Sequence, residues 1–253
     1  MNIDWSPLRS EFTKWRENNL ELSFWWRDDD AIEPTPALDQ LIALAIETGV
    51  PVHLAVIPRD AISTLASVIT TTDMLIPVVH GWSHQNHAPA DVKKAEFGAS
   101  RSASECADDM RHAHARLQDM FGDGLAAMFV PPWNRIDPAL MVTLVEQGYD
   151  AVSTFLPRRE ATPVPGLTQI NTHIDPIFWR GTRGLVDPEL LVAKVVAFLK
   201  DRRRGITDNT EPFGYLTHHL VHDADIWEFS RQFLNEMCDG PTRLYRHDRK
   251  DTA

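Results

Sequence analysis

Residues 22–57, LSFWWRDDDAIEPTPALDQLIALAIETGVPVHLAVI, carry the pattern on which the fold is read. A short apolar run, Leu22–Trp26, ends in four charged residues. Thr35-Pro36 then opens a stretch with apolar residues at Leu38, Leu41, Ile42 and Ala45, Gly49 closes it, and a second apolar run, Val50–Ile57, follows. Spacings of three and four put those side chains on one face of a helix. Proline suits the first helical turn, and glycine suits the left-handed residue just past the last. Strand, helix and strand in close succession form the unit from which parallel sheets are built.

The unit recurs. Strand-like runs at Leu75–Val79, Ala126–Val130, Ala151–Phe155, Leu167–Asn171 and Phe213–Thr217 alternate with helical patterns. One stripe is Cys106, Met110, Ala113 and Leu117, and another is Leu190, Leu191, Val195 and Leu199. Asp137-Pro138 and Gly148 bracket a further helix, and Gly205 follows the Lys200–Arg204 end of another. About seven such units predict an α/β fold, a distorted (β/α) barrel, as a single domain over residues 1–253. Pro157–Pro165 reads as a loop and Arg243–Ala253 as a loosely ordered charged tail.

Composition bounds the function. The chain has 25 Lys+Arg against 36 Asp+Glu, a formal charge of −11, which argues against nucleic acid or an anionic membrane as partner. Two cysteines, Cys106 and Cys238, make neither a disulfide framework nor a thiolate zinc site. The opening MNIDWSPLRSEF lacks the pattern of a signal peptide, and the longest apolar run, Leu41–Ile46, is too short to span a bilayer. The expectation is a cytoplasmic globular protein.

Ligands of parallel α/β folds sit at the carboxyl ends of the strands, so the residues that follow each strand matter most. The first strand leads into Arg27-Asp28-Asp29-Asp30, where three adjacent carboxylates need a cation or a solvated turn. The third leads into His80-Gly81-Trp82-Ser83-His84-Gln85-Asn86-His87. Met128–Val130 leads into Pro131-Pro132-Trp133-Asn134-Arg135, and the last strand into His218-His219 and His222-Asp223. Each has an ordinary structural explanation when taken alone. Together they offer two imidazoles and a carboxylate, a ligand set that leaves a hydrolytic zinc an open position.

In this order the motifs resemble the NodB-homology polysaccharide deacetylases, carbohydrate esterase family four, over about residues 23–222. Trp26-Arg27-Asp28-Asp29-Asp30 is similar to the family's TFDDG, His80–His84 to its HTxSH, and Pro131-Pro132-Trp133 to part of its RxPxG. Asp175-Pro176-Ile177-Phe178-Trp179 is similar to DxxDW, and Leu216-Thr217-His218 to LxH. The resemblance implies that Asp29, His80 and His84 hold a divalent metal, Zn2+ first and Co2+, Ni2+ or Mn2+ as alternatives. It implies Asp28 as the base that deprotonates water and His218 as the acid for the leaving group. Trp82, Pro132, Trp133 and Trp179 would contact an acetylated sugar, with Arg27, His87, Arg135 and Asp175 supporting them.

Three positions depart from the family pattern. Asp30 stands in place of Gly, Val130 in place of the Arg that orients the base, and Phe178 in place of the second Asp of DxxDW. Arg27 or Arg135 is the expected substitute for the arginine, and Asp175 or Asp223 for the aspartate. The expected function is metal-dependent removal of acetyl groups from an N- or O-acetylated sugar or polysaccharide. Two other readings share these residues: a hydrolase of another non-peptide C–N bond, such as a ureide or small amide, and a catalytically weak carbohydrate-binding relative.

Overall fold

The structure is a computed structural model and describes residues 1–247. Its strands are β1 (Leu22–Ala31), β2 (Val52–Val56), β3 (Leu75–His80), β4 (Met128–Val130), β5 (Ala151–Val152), β6 (Thr168–Gln169), β7 (Thr172–Ile174), β8 (Phe213–Thr217) and β9 (Thr242–Leu244). Its α-helices are α1 (Ser6–Glu17), α2 (Pro36–Thr48), α3 (Ser63–Ile69), α4 (Ala103–Phe121), α5 (Met141–Glu146), α6 (Pro188–Arg203) and α7 (Ala224–Asp239).

The strands pair in parallel in the order β6-β5-β4-β3-β2-β1-β8-β7. The two ends of that order are one stretch of chain. Residues 168–169 pair with β5, and Thr172 pairs both with Phe155 and with Gly214 of β8. The sheet therefore curls back on itself as the distorted barrel, in seven strand positions. Thr172–Ile174 was not among the expected strands, because the buried polar pair Thr172 and His173 hides its apolar run.

Local signals act as the sequence suggests. Thr35 Oγ1 accepts the Leu38 N–H at the start of α2, and Gly49 ends the helix at φ +69°. Cys106, Met110, Ala113 and Leu117 of α4 are fully buried. Leu190 departs from its expected stripe: it is exposed, and Leu191, Val192, Val195 and Leu199 carry the buried face of α6. The tail also differs from expectation, since Thr242–Leu244 pairs with β1. The remainder of the expected loose tail, 248–253, lies outside the described residues. No helix among the described residues is long and apolar enough to cross a membrane.

β1 decides the site. Its side chains alternate between two cores, as the twofold period of a strand requires. Phe24 and Trp26 join the layer between sheet and helices, whereas Trp25 joins the barrel interior with Ala55, Val78, Met128 and Val130. By the same alternation Arg27 and Asp29 face the interior, and Asp28 faces outward. The three aspartates belong to the strand itself, not to the turn after it.

Candidate active site

At the carboxyl end of the strands, Asp30, His80 and His84 each offer a ligand atom within 4.8 Å of the others. Asp30 Oδ1 lies 3.1 Å from His80 Nε2 and 3.4 Å from His84 Nε2. The carboxylate of this group is Asp30, not the expected Asp29. Asp30 sits at φ +77°, a left-handed conformation that breaks the strand alternation and swings its side chain over the barrel mouth. Asp and Asn tolerate that region better than other side chains, which is how Asp serves where glycine was expected.

The group suits a divalent cation. His80 Nδ1 lies 3.0 Å from the Val130 carbonyl and donates to it, so the neutral ring turns a lone pair on Nε2 toward a carboxylate oxygen. Two acceptors face each other there, which only a proton or a cation between them reconciles. Without a cation, protons respond: burial lowers the His80 pKa, but Asp29 and Asp30 outweigh it and raise the group above its ordinary value. Burial alone would raise the Asp30 pKa, but the hydrogen bond and charge of His80 hold it well below the carboxylate range. Burial and the neighbouring His80 both lower His84.

The His80–His84 loop is held by a residue no motif pointed to. Glu96, fully buried, accepts the backbone N–H groups of Trp82, Ser83 and His84 and the Ser83 hydroxyl, at 2.8–3.3 Å. Gly81, at φ +57°, brings the chain hard against Glu96 and Pro132, and a Cβ there would lie 2.6 Å from the Pro132 ring. Pro132 is thus buried packing against Gly81, not a sugar contact.

Asp29 lies inside the barrel mouth, 2% exposed, and pairs with Arg27 two residues earlier on the same face. Arg27 Nη2 donates to Asp29 Oδ2 at 3.0 Å, and Nε lies 2.8 Å from Oδ1. The same buried guanidinium reaches across the barrel to Ser153 Oγ (2.7 Å) and Asn134 Oδ1 (2.6 Å). Arg27, not Arg135, therefore fixes this carboxylate in place of the arginine that Val130 displaces. Arg135 instead donates to the Lys94 carbonyl. Asn134 and Ser153 went unnoticed in sequence because their partner lies more than a hundred residues away.

His218 approaches from β8, with Nε2 4.0 Å from Asp29 Oδ2. Trp179 stands edge-on to it at 4.8 Å and donates its indole N–H to Asp175 at 2.7 Å. Burial raises the Asp175 pKa, and the charge of His218 opposes that rise. Asp223 is committed elsewhere, as the cap of α7. Phe178 is half exposed beside Trp179.

Asp28, expected as the base, is fully buried on the outer side of the sheet. It accepts from Thr217 Oγ1 (2.6 Å), the His219 backbone N–H (2.9 Å) and His219 Nδ1 (2.5 Å). Burial raises its pKa, but His219 outweighs that and holds it below the ordinary value. Its side chain has no exposed surface. Trp82 is likewise turned away, against His112 of α4, and exposed His87 touches none of the three ligand atoms. Trp133 does face the mouth, its ring 4.4 Å from His84.

Backbone strain gathers at this end. Seven non-glycine residues among those described have positive φ: Asp30 lies at the end of β1, and His84, Trp133, Asn134, Leu156 and Arg183 lie in segments that follow a strand at the barrel mouth. Such conformations cost about 1–3 kcal/mol each and concentrate at functional sites.

No protein-family model matches the sequence, and no curated protein matches it. Solved structures do. A family 4 carbohydrate esterase from Streptomyces lividans is 11% identical with a TM-score of 0.54, covering 88% of this chain and 92% of its own. The Bc1960 peptidoglycan N-acetylglucosamine deacetylase is 14% identical with a TM-score of 0.57, covering 94% and 99%. The peptidoglycan deacetylase PdaC from Bacillus subtilis is 13% identical with a TM-score of 0.53, covering 88% and 87%. The likeness is one of fold: the chain has the NodB-homology fold of the family 4 carbohydrate esterases.

Proposed function

We propose that this chain is a metal-dependent hydrolase that removes acetyl groups from an acetylated carbohydrate. The observation that carries the reading is the convergence of three groups in one mouth: the Asp30–His80–His84 ligand set, an Arg27-held Asp29, and His218 4.0 Å from that carboxylate. A divalent cation held by Asp30, His80 and His84, Zn2+ by preference, would supply the positive charge that acidifies water and polarises an acyl oxygen.

The chain's own residues do the rest. Asp29 takes the proton of the attacking water, and its hold on Arg27 keeps it aimed inward. As the carbonyl carbon becomes tetrahedral and the C–N or C–O bond breaks, His218 gives a proton to the departing nitrogen or oxygen. Asp175 holds the Trp179 indole, whose ring stands edge-on against His218. Trp133 and Trp179 flank the opening and offer flat apolar faces to a sugar ring.

The test is acetate release from a panel of N- and O-acetylated sugars by the chain loaded with Zn2+ or Co2+, beside the chelated chain. Metal-dependent release that Asp29→Asn removes while metal content stays near one per chain supports the reading. Metal bound with no release from any acetylated sugar, but turnover of a ureide or small amide, would replace it with the other hydrolase reading.

A further inference from the structure

A cleft of about 680 Å³ opens beside the catalytic groups, between the segments that follow β4 and β5. It shares a wall with the site: Asn134, which lines it, accepts from Arg27 Nη2 at 2.6 Å, and the carbonyl of Thr154, also on the lining, lies 3.4 Å from Arg27 Nη1. An acyl group placed at Asp29 would therefore leave the adjoining part of its substrate at this cleft.

The cleft is cationic on a chain whose net charge is −11. Arg135 gives one N–H to the Lys94 carbonyl and meets no carboxylate among the described residues. Arg159, exposed at the lip, makes no hydrogen bond or ion pair among the described residues. The third cation on the lining, Arg158, is already matched by Asp208 at 2.7 Å. Glu160, the carboxylate on the lining, pairs with none of them. Cations gathered on one concave wall repel each other and focus a positive potential into it, and an anion entering relieves both.

We propose that the substrate carries an anionic substituent, a carboxylate or a phosphate, that lies in this cleft against Arg135 and Arg159 while its acyl group meets Asp29. The assignment rests on the deacetylase reading for the acyl group but not for the anion. Guanidinium groups match both anions in paired hydrogen bonds, so the chemistry is shared and the probes separate the sources.

Three acetylated probes serve: N-acetylglucosamine, its 6-phosphate, and N-acetylmuramic acid. The metal-loaded chain is expected to favour at least one anionic probe over the neutral sugar by about tenfold in kcat/KM at low salt. That ratio should fall by about tenfold in Arg159→Ala, and also in wild type at about 0.5 M NaCl. Preference for the phosphate or for the carboxylate identifies which anion the cleft takes. A wild-type ratio near one, or a ratio that Arg159→Ala leaves in place, overturns the proposal. Calorimetric binding of glucosamine 6-phosphate against glucosamine reads the cleft without turnover. Tighter binding of the anion that Arg159→Ala abolishes, with no acetate released from any probe, would keep the cleft and sink the deacetylase reading. Acetate released equally from all three probes would do the reverse.

Discussion

Replacing Asp28 and Asp29 in turn by Asn separates two neighbouring carboxylates that a motif match treats alike. Asp28 accepts three hydrogen bonds, all from β8 and the residues just after it. In Asp28→Asn the amide must point one N–H₂ at a donor, and the His219 imidazolium loses its counter-charge. Were His219 to stay protonated, the uncompensated buried charge would cost about 3–5 kcal/mol. It can release its proton instead, which leaves a mismatched buried donor worth about 1–3 kcal/mol. The expected loss is thus about 2–3 kcal/mol, or about 4–12 °C in Tm for a chain of this size. In Asp29→Asn, Arg27 keeps its contacts to Ser153, Thr154 and Asn134 but loses its counter-charge and, unlike His219, cannot release its proton, so the fold also weakens, by about 3–5 kcal/mol, while the proposed base is gone. Thermal unfolding, metal content and acetate release on both variants form the assay. Both variants should be less stable, but below their lowered Tm Asp28→Asn should retain turnover and Asp29→Asn should have turnover down by about 10³-fold or more. A well-folded, inactive Asp28→Asn beside an active Asp29→Asn would refute the assignment of the strand faces.

Two further outcomes follow from the same contacts. His53 is held neutral, with Nδ1 3.2 Å from the Trp26 carbonyl and Nε2 accepting the His247 N–H at 2.9 Å, and burial pushes its pKa down to about 3. Burial pushes His222 down to about 4. Both bind a proton in the unfolded chain near pH 6.5, so their stabilisation is complete above that pH and shrinks as pH falls toward the folded values. Urea denaturation should show a loss of about 2 kcal/mol between about pH 6 and about pH 5, and equal stability at the two would contradict the neutral assignments. Gly81→Ala places a Cβ against Glu96 and Pro132 at a positive φ, so it should loosen the His80–His84 loop and weaken Zn2+ binding by more than tenfold in a competition titration with a chelator. Unchanged affinity would mean that Glu96 does not set the loop.

Much of the architecture was legible in order along the chain. Thr35-Pro36 with Gly49, and the α4 stripe, are local signals whose physics needs no distant partner. Alternating strand and helix patterns implied a parallel sheet, and the strand ends implied where chemistry would gather. His80, His84 and His218 stood out for that reason, because their spacing and their position after a strand are properties of the sequence itself.

What tertiary structure decided was which of three identical letters does what. A strand reverses its face at every residue, so Asp28 and Asp29 point to opposite sides, and a shift of one in matching the motif exchanges a buried structural anchor for the proposed base. Only the pairing of β1 with β2 and β8, the left-handed turn at Asp30, and Arg27 reaching across the barrel to Asn134 and Ser153 fix that register. Glu96 and Asn134 were invisible for a related reason: a buried hydrogen bond is set by where two distant backbones meet in space, and nothing local in either segment encodes the meeting.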